Sequence, residues 1–251
     1  MHQDDTGWRN SGQAAWPGVY CSSNTVLYTI NTRHTHQEVL AVLGEAFKGV
    51  LVSDRYTVYD HAKFAQTQQQ KCVAYLIRNA DEAVRLQEGK RGQGIVYPQS
   101  LAKLFRASLK LHQSFHAQRS GPSVSVQTKT RHTLSQYRLL GKRLEQRLTF
   151  LLERKPLKSK ENERLRVGLL KQHRLNRLLY FLTDPSIPPT NNAAERALRP
   201  AVISRKVSQC SKSQGGADTF AKFKSVVETA KLRGQIPFEV LTQPNLHPRP
   251  G

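Results

Sequence analysis

The sequence predicts an α/β protein that carries a strongly basic helical block, and three observations lead there. Within the first 60 residues, short runs of β-branched and aromatic residues surround a single helical pattern. From Tyr97 to about Phe181, apolar residues recur at helical spacing among lysines and arginines. The third is charge: 39 Lys and Arg against 18 Asp and Glu leave a net +21 over 251 residues. Such a surplus is the electrostatic footprint of a polyanionic partner, nucleic acid before others. A membrane partner would need a lipid-facing element, and the sequence holds no run of about 18 apolar residues to span a bilayer. The opening MHQDDTGW lacks a basic and then apolar leader, so export is not expected. Cys21, Cys72 and Cys210 are odd in number and far apart, which argues against a disulfide framework and for a reducing compartment.

Taken in order, DDTG (Asp4 to Gly7) reads as a turn entering the first hairpin. WPGVYCSS (Trp16 to Ser23) and TVLYTINTR (Thr25 to Arg33) are strand-like and separated by a Ser-Asn turn, the signature of a hairpin. His34 and His36 flank Thr35 in a polar turn and are expected to be solvated rather than metal ligands. HQEVLAVLGEAF (His36 to Phe47) places Val39, Leu40, Leu43 and Phe47 on one helical face, with the helix ending at Gly49. GVLVSD (Gly49 to Asp54) suits a buried strand with its acid at the carboxyl end, where open α/β sheets place their chemistry. Asp54 is therefore a candidate site residue, with a turn or cap role as the plain alternative.

Lys71 to Gln87 reads as a short strand running into an amphipathic helix, followed by a breaker at Glu88 to Gly94. Helices are expected over Leu101 to Phe115, Tyr137 to Arg154 and Glu161 to Leu182, with a break at Ser120 to Ser123. Leu140, Leu144, Leu148 and Leu151 are spaced for one buried face. Their lysines and arginines form a solvated face that would also lie well along DNA.

TNNAAERALRP (Thr190 to Pro200) sets one acid, Glu195, among asparagines, alanines and arginines, after an extended PSIPPT that no helix can include. Asn192 followed three residues later by Glu195 has capping-box spacing, which is a purely structural reading. A cationic helix end with one carboxylate also suits a phosphodiester, if other carboxylates converge on it. A polar, glycine-bearing loop (Ser208 to Gly216) and a helix (Ala217 to Leu232) carrying Phe220, Phe223, Val226, Val227 and Ala230 complete the chain. The proline-rich tail after Leu241 is expected to be disordered.

DDTGWRNSG, GVLVSDRYTVYD and the long segment from PPTNNAAERALRP to GQIPFEVL resemble, in order and spacing, the catalytic region of the insertion-sequence-66 family of bacterial DDE transposases. The resemblance implies a ribonuclease-H-like α/β fold, with a mixed sheet, flanking helices and a large helical insertion. It divides the chain into 1–88 and 187–241 as the two parts of the catalytic domain, 89–186 as the basic insertion and 242–251 as the tail. It also implies that Asp4, Asp54 and Glu195 are the catalytic acids and hold Mg²⁺ or Mn²⁺. Arg196, Arg199, Arg205 and Lys206 would bind phosphates, and Asn191 and Asn192 are assigned with them to the DNA-binding set. Expected partners are double-stranded DNA, at transposon ends and at the target, with a homodimer as an option and no membrane; the expected location is cytoplasmic, with the nucleoid.

Three departures from the family pattern stand out. Asp5 replaces a usual glutamate. Tyr75 stands where a histidine is usual and Asn79 where an aspartate is common, and a phenol cannot act as a base near neutral pH. Met1 lies three residues before Asp4, so the family's amino-terminal recognition region is expected to be missing. Two readings follow: a DDE transposase catalytic domain, performing Mg-dependent phosphodiester hydrolysis and transesterification, or a catalytically inactive DNA-binding remnant.

Overall fold

The computed structural model describes residues 1–87, 93–117, 132–154, 156–208 and 211–243. The break expected at Ser120 to Ser123, most of the one at Glu88 to Gly94, Cys210 and nearly all of the proline-rich tail lie outside them. The chain forms two compact units, one built from Met1–Thr67 together with the chain from Asn191 onward, the other from Gln68–Thr190.

The first unit is a mixed sheet with helices. Its strands are β1 (His2–Asp5), β2 (Trp8–Asn10), β3 (Gln13–Cys21), β4 (Val26–Asn31) and β5 (Leu51–Ser53). β3 pairs antiparallel with β1, β2 and β4, while β5 joins β1 in parallel, in the register His2↔Val52. Asp4 and Asp5 are thus strand residues, not the turn that local sequence suggested. Aspartate is a poor strand former in isolation, but here both residues are paired, Asp4 with Val19 and Asp5 with Gly18. The tight turn comes later, at Ser11 and Gly12, both of which take positive φ (51° and 79°) as a two-residue hairpin requires.

Alternation of side chains sorts the sheet into two faces. Val19, Cys21, Val26, Tyr28 and Ile30 pack with Ala194, Leu198 and Ala201 of α6 (Asn192–Ser208) and Ala217 and Ala221 of α7 (Gln214–Leu232). Tyr20 and Leu51 point the other way, onto Val39 of α1 (His36–Leu43) and onto Tyr59 and Phe64. α1 opens with a Thr35/Glu38 capping box and closes at Gly44, whose φ of 74° no continuing helix tolerates. The helix is therefore shorter than its apolar spacing suggested, and Phe47 packs on the core from the loop beyond it.

The second unit contains β6 (Gln69–Lys71), α2 (Val73–Gln87), α3 (Val96–Ala117), α4 (Leu134–Leu152) and α5 (Lys160–Arg174). α4 buries Tyr137, Gly141, Leu148, Leu151 and Leu152, so Leu140 and Leu144 lie at the margin of the buried stripe rather than at its centre. The helix expected to run to Leu182 stops at Arg174, and Asn176 takes φ 54°. The apolar run beyond it, Leu178, Leu179, Phe181 and Leu182, is buried without being α-helical. It is tied down by Gln70, whose amide donates to the Leu178 carbonyl and accepts from the Phe181 N–H, and by the Tyr137 hydroxyl, which donates to the Phe181 carbonyl. Among the described residues no helix is long and apolar enough to cross a membrane.

Candidate active site

The parallel pairing of β1 with β5 brings two acids together. Since His2 stands opposite Val52, two residues further on in each chain set Asp4 level with Asp54, just past the carboxyl end of β5. Adjacent strands run about 4.8 Å apart, and an even step keeps both side chains on one face of the sheet. That face is the one α6 covers, since Asp4 pairs with Val19 and His2 with Cys21.

The third acid is positioned through Asn191. Its side chain is fully buried; Nδ2 donates to the Gln3 carbonyl (2.7 Å), and Oδ1 meets His2 Nδ1 (3.2 Å). Its own carbonyl accepts the Glu195 N–H (3.1 Å), so Glu195 follows one turn into α6 from a residue clamped onto β1. The capping-box spacing is thus displaced: Asn192 is already helical and exposed, and Asn191 stands at the cap position with its amide turned to the sheet. Asn191 is held inside the fold and holds the helix to the strand.

The field of the three acids converges on Asp4. Burial raises its pKa most, the Asp5 backbone N–H opposes this in part, and the negative charges of Asp54, Asp5 and Glu195 carry it up to about 7. Among the described residues, no group of three or more His, Cys, Asp or Glu side chains forms a ready metal-ligating cluster. Asp54 also accepts the Tyr56 N–H at Oδ1 (2.9 Å), which fixes its carboxylate at the strand end. His2, on the same face, has its pKa lowered chiefly by burial, and burial pushes the Cys21 thiol up to about 11.

The cationic residues divide. Arg196, Arg199 and Lys206 are exposed along α6, whereas Arg205 is turned to the chain between β1 and β2, donating to the Gly7 carbonyl and lying 3.5 Å from Thr6 Oγ1. Pro200, inside α6, lacks the N–H that would bond the Arg196 carbonyl. Lys212 and Ser211, from the loop expected at Ser208 to Gly216, are pinned to β2 and its turn: Ser211 exchanges backbone bonds with Arg9 and Ser11, and its hydroxyl accepts from Trp8 Nε1. In the second unit Tyr75 lies in α2 beneath the Arg78 guanidinium, 4.0 Å from the ring centroid.

Sequence reading missed the partners on the opposite face. Asp5 does not join Asp4; strand alternation sends it to His34 Nε2 (2.8 Å) and to Gln3 Nε2 (3.5 Å). His34, expected to be solvated, stacks between Trp16 and Tyr56, and His36 stacks on His61 with centroids 3.5 Å apart. The available signal was the pair of adjacent acids itself, since neighbours in a strand must face opposite ways.

Comparison with known proteins supplies the family. A family model described as Transposase IS66 family matches residues 1–219, and the chain belongs to that family. A stretch of 86 residues is 40% identical to Uncharacterized protein y4qI of Sinorhizobium fredii (strain NBRC 101917 / NGR234), covering 34% of this chain and 15% of that protein's length. No solved structure matches the chain.

Proposed function

We propose that this transposase carries the DDE chemistry itself: metal-dependent DNA strand cleavage followed by strand transfer, with Asp4, Asp54 and Glu195 as the acids. The observation that carries this reading is the parallel β1–β5 pairing through His2 and Val52, two residues before Asp4 and Asp54, with Asn191 clamping the start of α6 one turn before Glu195. The topology supports a ribonuclease-H-like assignment of the first unit: an antiparallel β1–β3–β4 meander, then α1, then β5 returning parallel beside β1.

The three side chains offer only carboxylate oxygens, the donors that Mg²⁺ and Mn²⁺ take, and the negative charges of Asp54 and Glu195 act on Asp4. Such ions, when bound, stabilise the charge that develops on the attacking and leaving oxygens of an in-line displacement. Water attacks the phosphorus and the bond to the 3′ oxygen breaks, leaving a 3′-hydroxyl at the transposon end. That hydroxyl then attacks a phosphodiester of target DNA, forming one phosphodiester as another breaks. The exposed Arg196, Arg199 and Lys206 hold phosphates, because the two guanidiniums and the ammonium position positive charge rather than moving protons near neutral pH.

The test is nicking of supercoiled DNA by the purified chain in Mg²⁺, against Asp54→Ala. Nicking lost in the variant supports the reading. DNA binding by both proteins, with no nicking by either, would favour a DNA-binding protein without chemistry.

A further inference from the structure

On the face of the sheet opposite Asp4, three aromatic rings form a pile at the same strand end as the acids. Trp16 of β3, His34 of the β4–α1 connection and Tyr56, two residues beyond Asp54, stack in that order. The Trp16–His34 centroids lie 5.5 Å apart at 20°, and the His34–Tyr56 centroids 4.5 Å apart at 12°. The central imidazole is held by Asp5, whose carboxylate meets His34 Nε2 at 2.8 Å and is itself approached by Gln3. Gln3 is in turn fixed by the hydroxyl of the buried Tyr59. The pile is thus braced from the sheet. It is not buried: Tyr56, at its end, is 40% exposed, and the His34 and Asp5 side chains each keep 22% exposure.

We propose that this pile is a stacking platform for an unpaired nucleobase of a DNA strand entering the acid site. Every nucleobase has a π face, so stacking on an aromatic ring binds single-stranded DNA with little regard to sequence. The Tyr56 backbone N–H bonds Asp54 Oδ1, so the residue that carries the terminal ring is tied to the acid at the strand end. With 40% of Tyr56 exposed, the end of the pile is accessible to an incoming ring. The proposal rests on the DNA-processing reading above and adds the feature that one nucleotide is held out of the duplex.

The probe is a duplex ending in a short single-stranded overhang that contains 2-aminopurine, compared with the same duplex made blunt. The intact 251-residue chain should bind the overhang DNA more tightly and quench the 2-aminopurine. Tyr56→Ala should reduce that preference by about fivefold or more, the loss expected for one stacked base, and Tyr56→Phe should retain it. Quenching in the unmodified chain gives a readout that does not depend on the variants folding. Equal affinity for the two DNAs with no quenching, or a preference unchanged in Tyr56→Ala, overturns the platform while leaving DNA binding intact. Failure to bind either DNA overturns both readings together.

Discussion

At the scale of single residues, Asp4 and Asn191 do opposite things for stability. The Asp4 carboxyl sits at about 7 in the fold against 3.8 unperturbed, raised by burial and then by neighbouring negative charge. A carboxyl raised on folding binds more protons in the native than in the unfolded state between those values, so stability falls as pH rises from about 4 to about 7. In a chelating buffer, Asp4→Asn should remove that part of the pH slope and melt higher than the parent at pH 8. Melting curves at pH 5 and pH 8 check this, and a parent no less stable at pH 8 relative to the variant would contradict it. Asn191→Ala should do the reverse. It leaves the buried Gln3 carbonyl without its donor, a loss of about 1–3 kcal/mol, or roughly 2–4 °C of Tm per kcal/mol for a chain of this size. It should also lower nicking, since Asn191 sets the start of the helix bearing Glu195. Glu195 and Asp54 could be singled out in the sequence because each sits at an element end in a telling context. Asn191 could not, because its role depends on a carbonyl 188 residues away.

At the scale of elements, α7 shows how far apolar periodicity reads a helix and its buried face. Of the residues it carries, Ala230 is buried and Phe220 packs on the sheet core, but Phe223 is half exposed and the core positions against the sheet are Ala217 and Ala221. The reason lies in the edge of β4. Ser225 Oγ accepts the Tyr28 N–H (2.8 Å), and Thr229 Oγ1 accepts the Val26 N–H (3.0 Å) and donates to the Val26 carbonyl (2.9 Å). Those hydroxyls reach the strand only if the small-residue side of α7 faces it, and by doing so they cover an edge that would otherwise be open to pairing. The double variant Ser225→Ala/Thr229→Val should therefore lower stability by about 1–3 kcal/mol through unsatisfied strand groups. It should also increase self-association, measured by light scattering. The same dependence on a partner explains β1, where two aspartates form a strand because β3 and β5 flank them. It explains the chain after Asn176 too, which is buried by Gln70 and Tyr137 rather than continued as helix. Strands of the central hairpin, α2 and the bodies of α3 and α4 were legible because their patterns are local.

At the scale of the whole molecule, the charge was legible at once and the acid site only in outline. A net +21 calls for DNA binding that is largely independent of sequence and steeply dependent on salt. Affinity for a duplex should fall about a thousandfold or more between about 50 and 200 mM salt if six or more phosphates are contacted; a nearly flat dependence would remove the electrostatic account. The central claim is narrower, that Asp4, Asp54 and Glu195 act as one cation site. It is tested most directly by Mn²⁺ titration at pH 7.5 of the parent chain and of Asp4→Asn, Asp54→Asn and Glu195→Gln. The account predicts that each substitution weakens Mn²⁺ binding by about tenfold or more, because each removes one charged oxygen donor from a shared ion. Mn²⁺ affinity unchanged by any one of the three would contradict it.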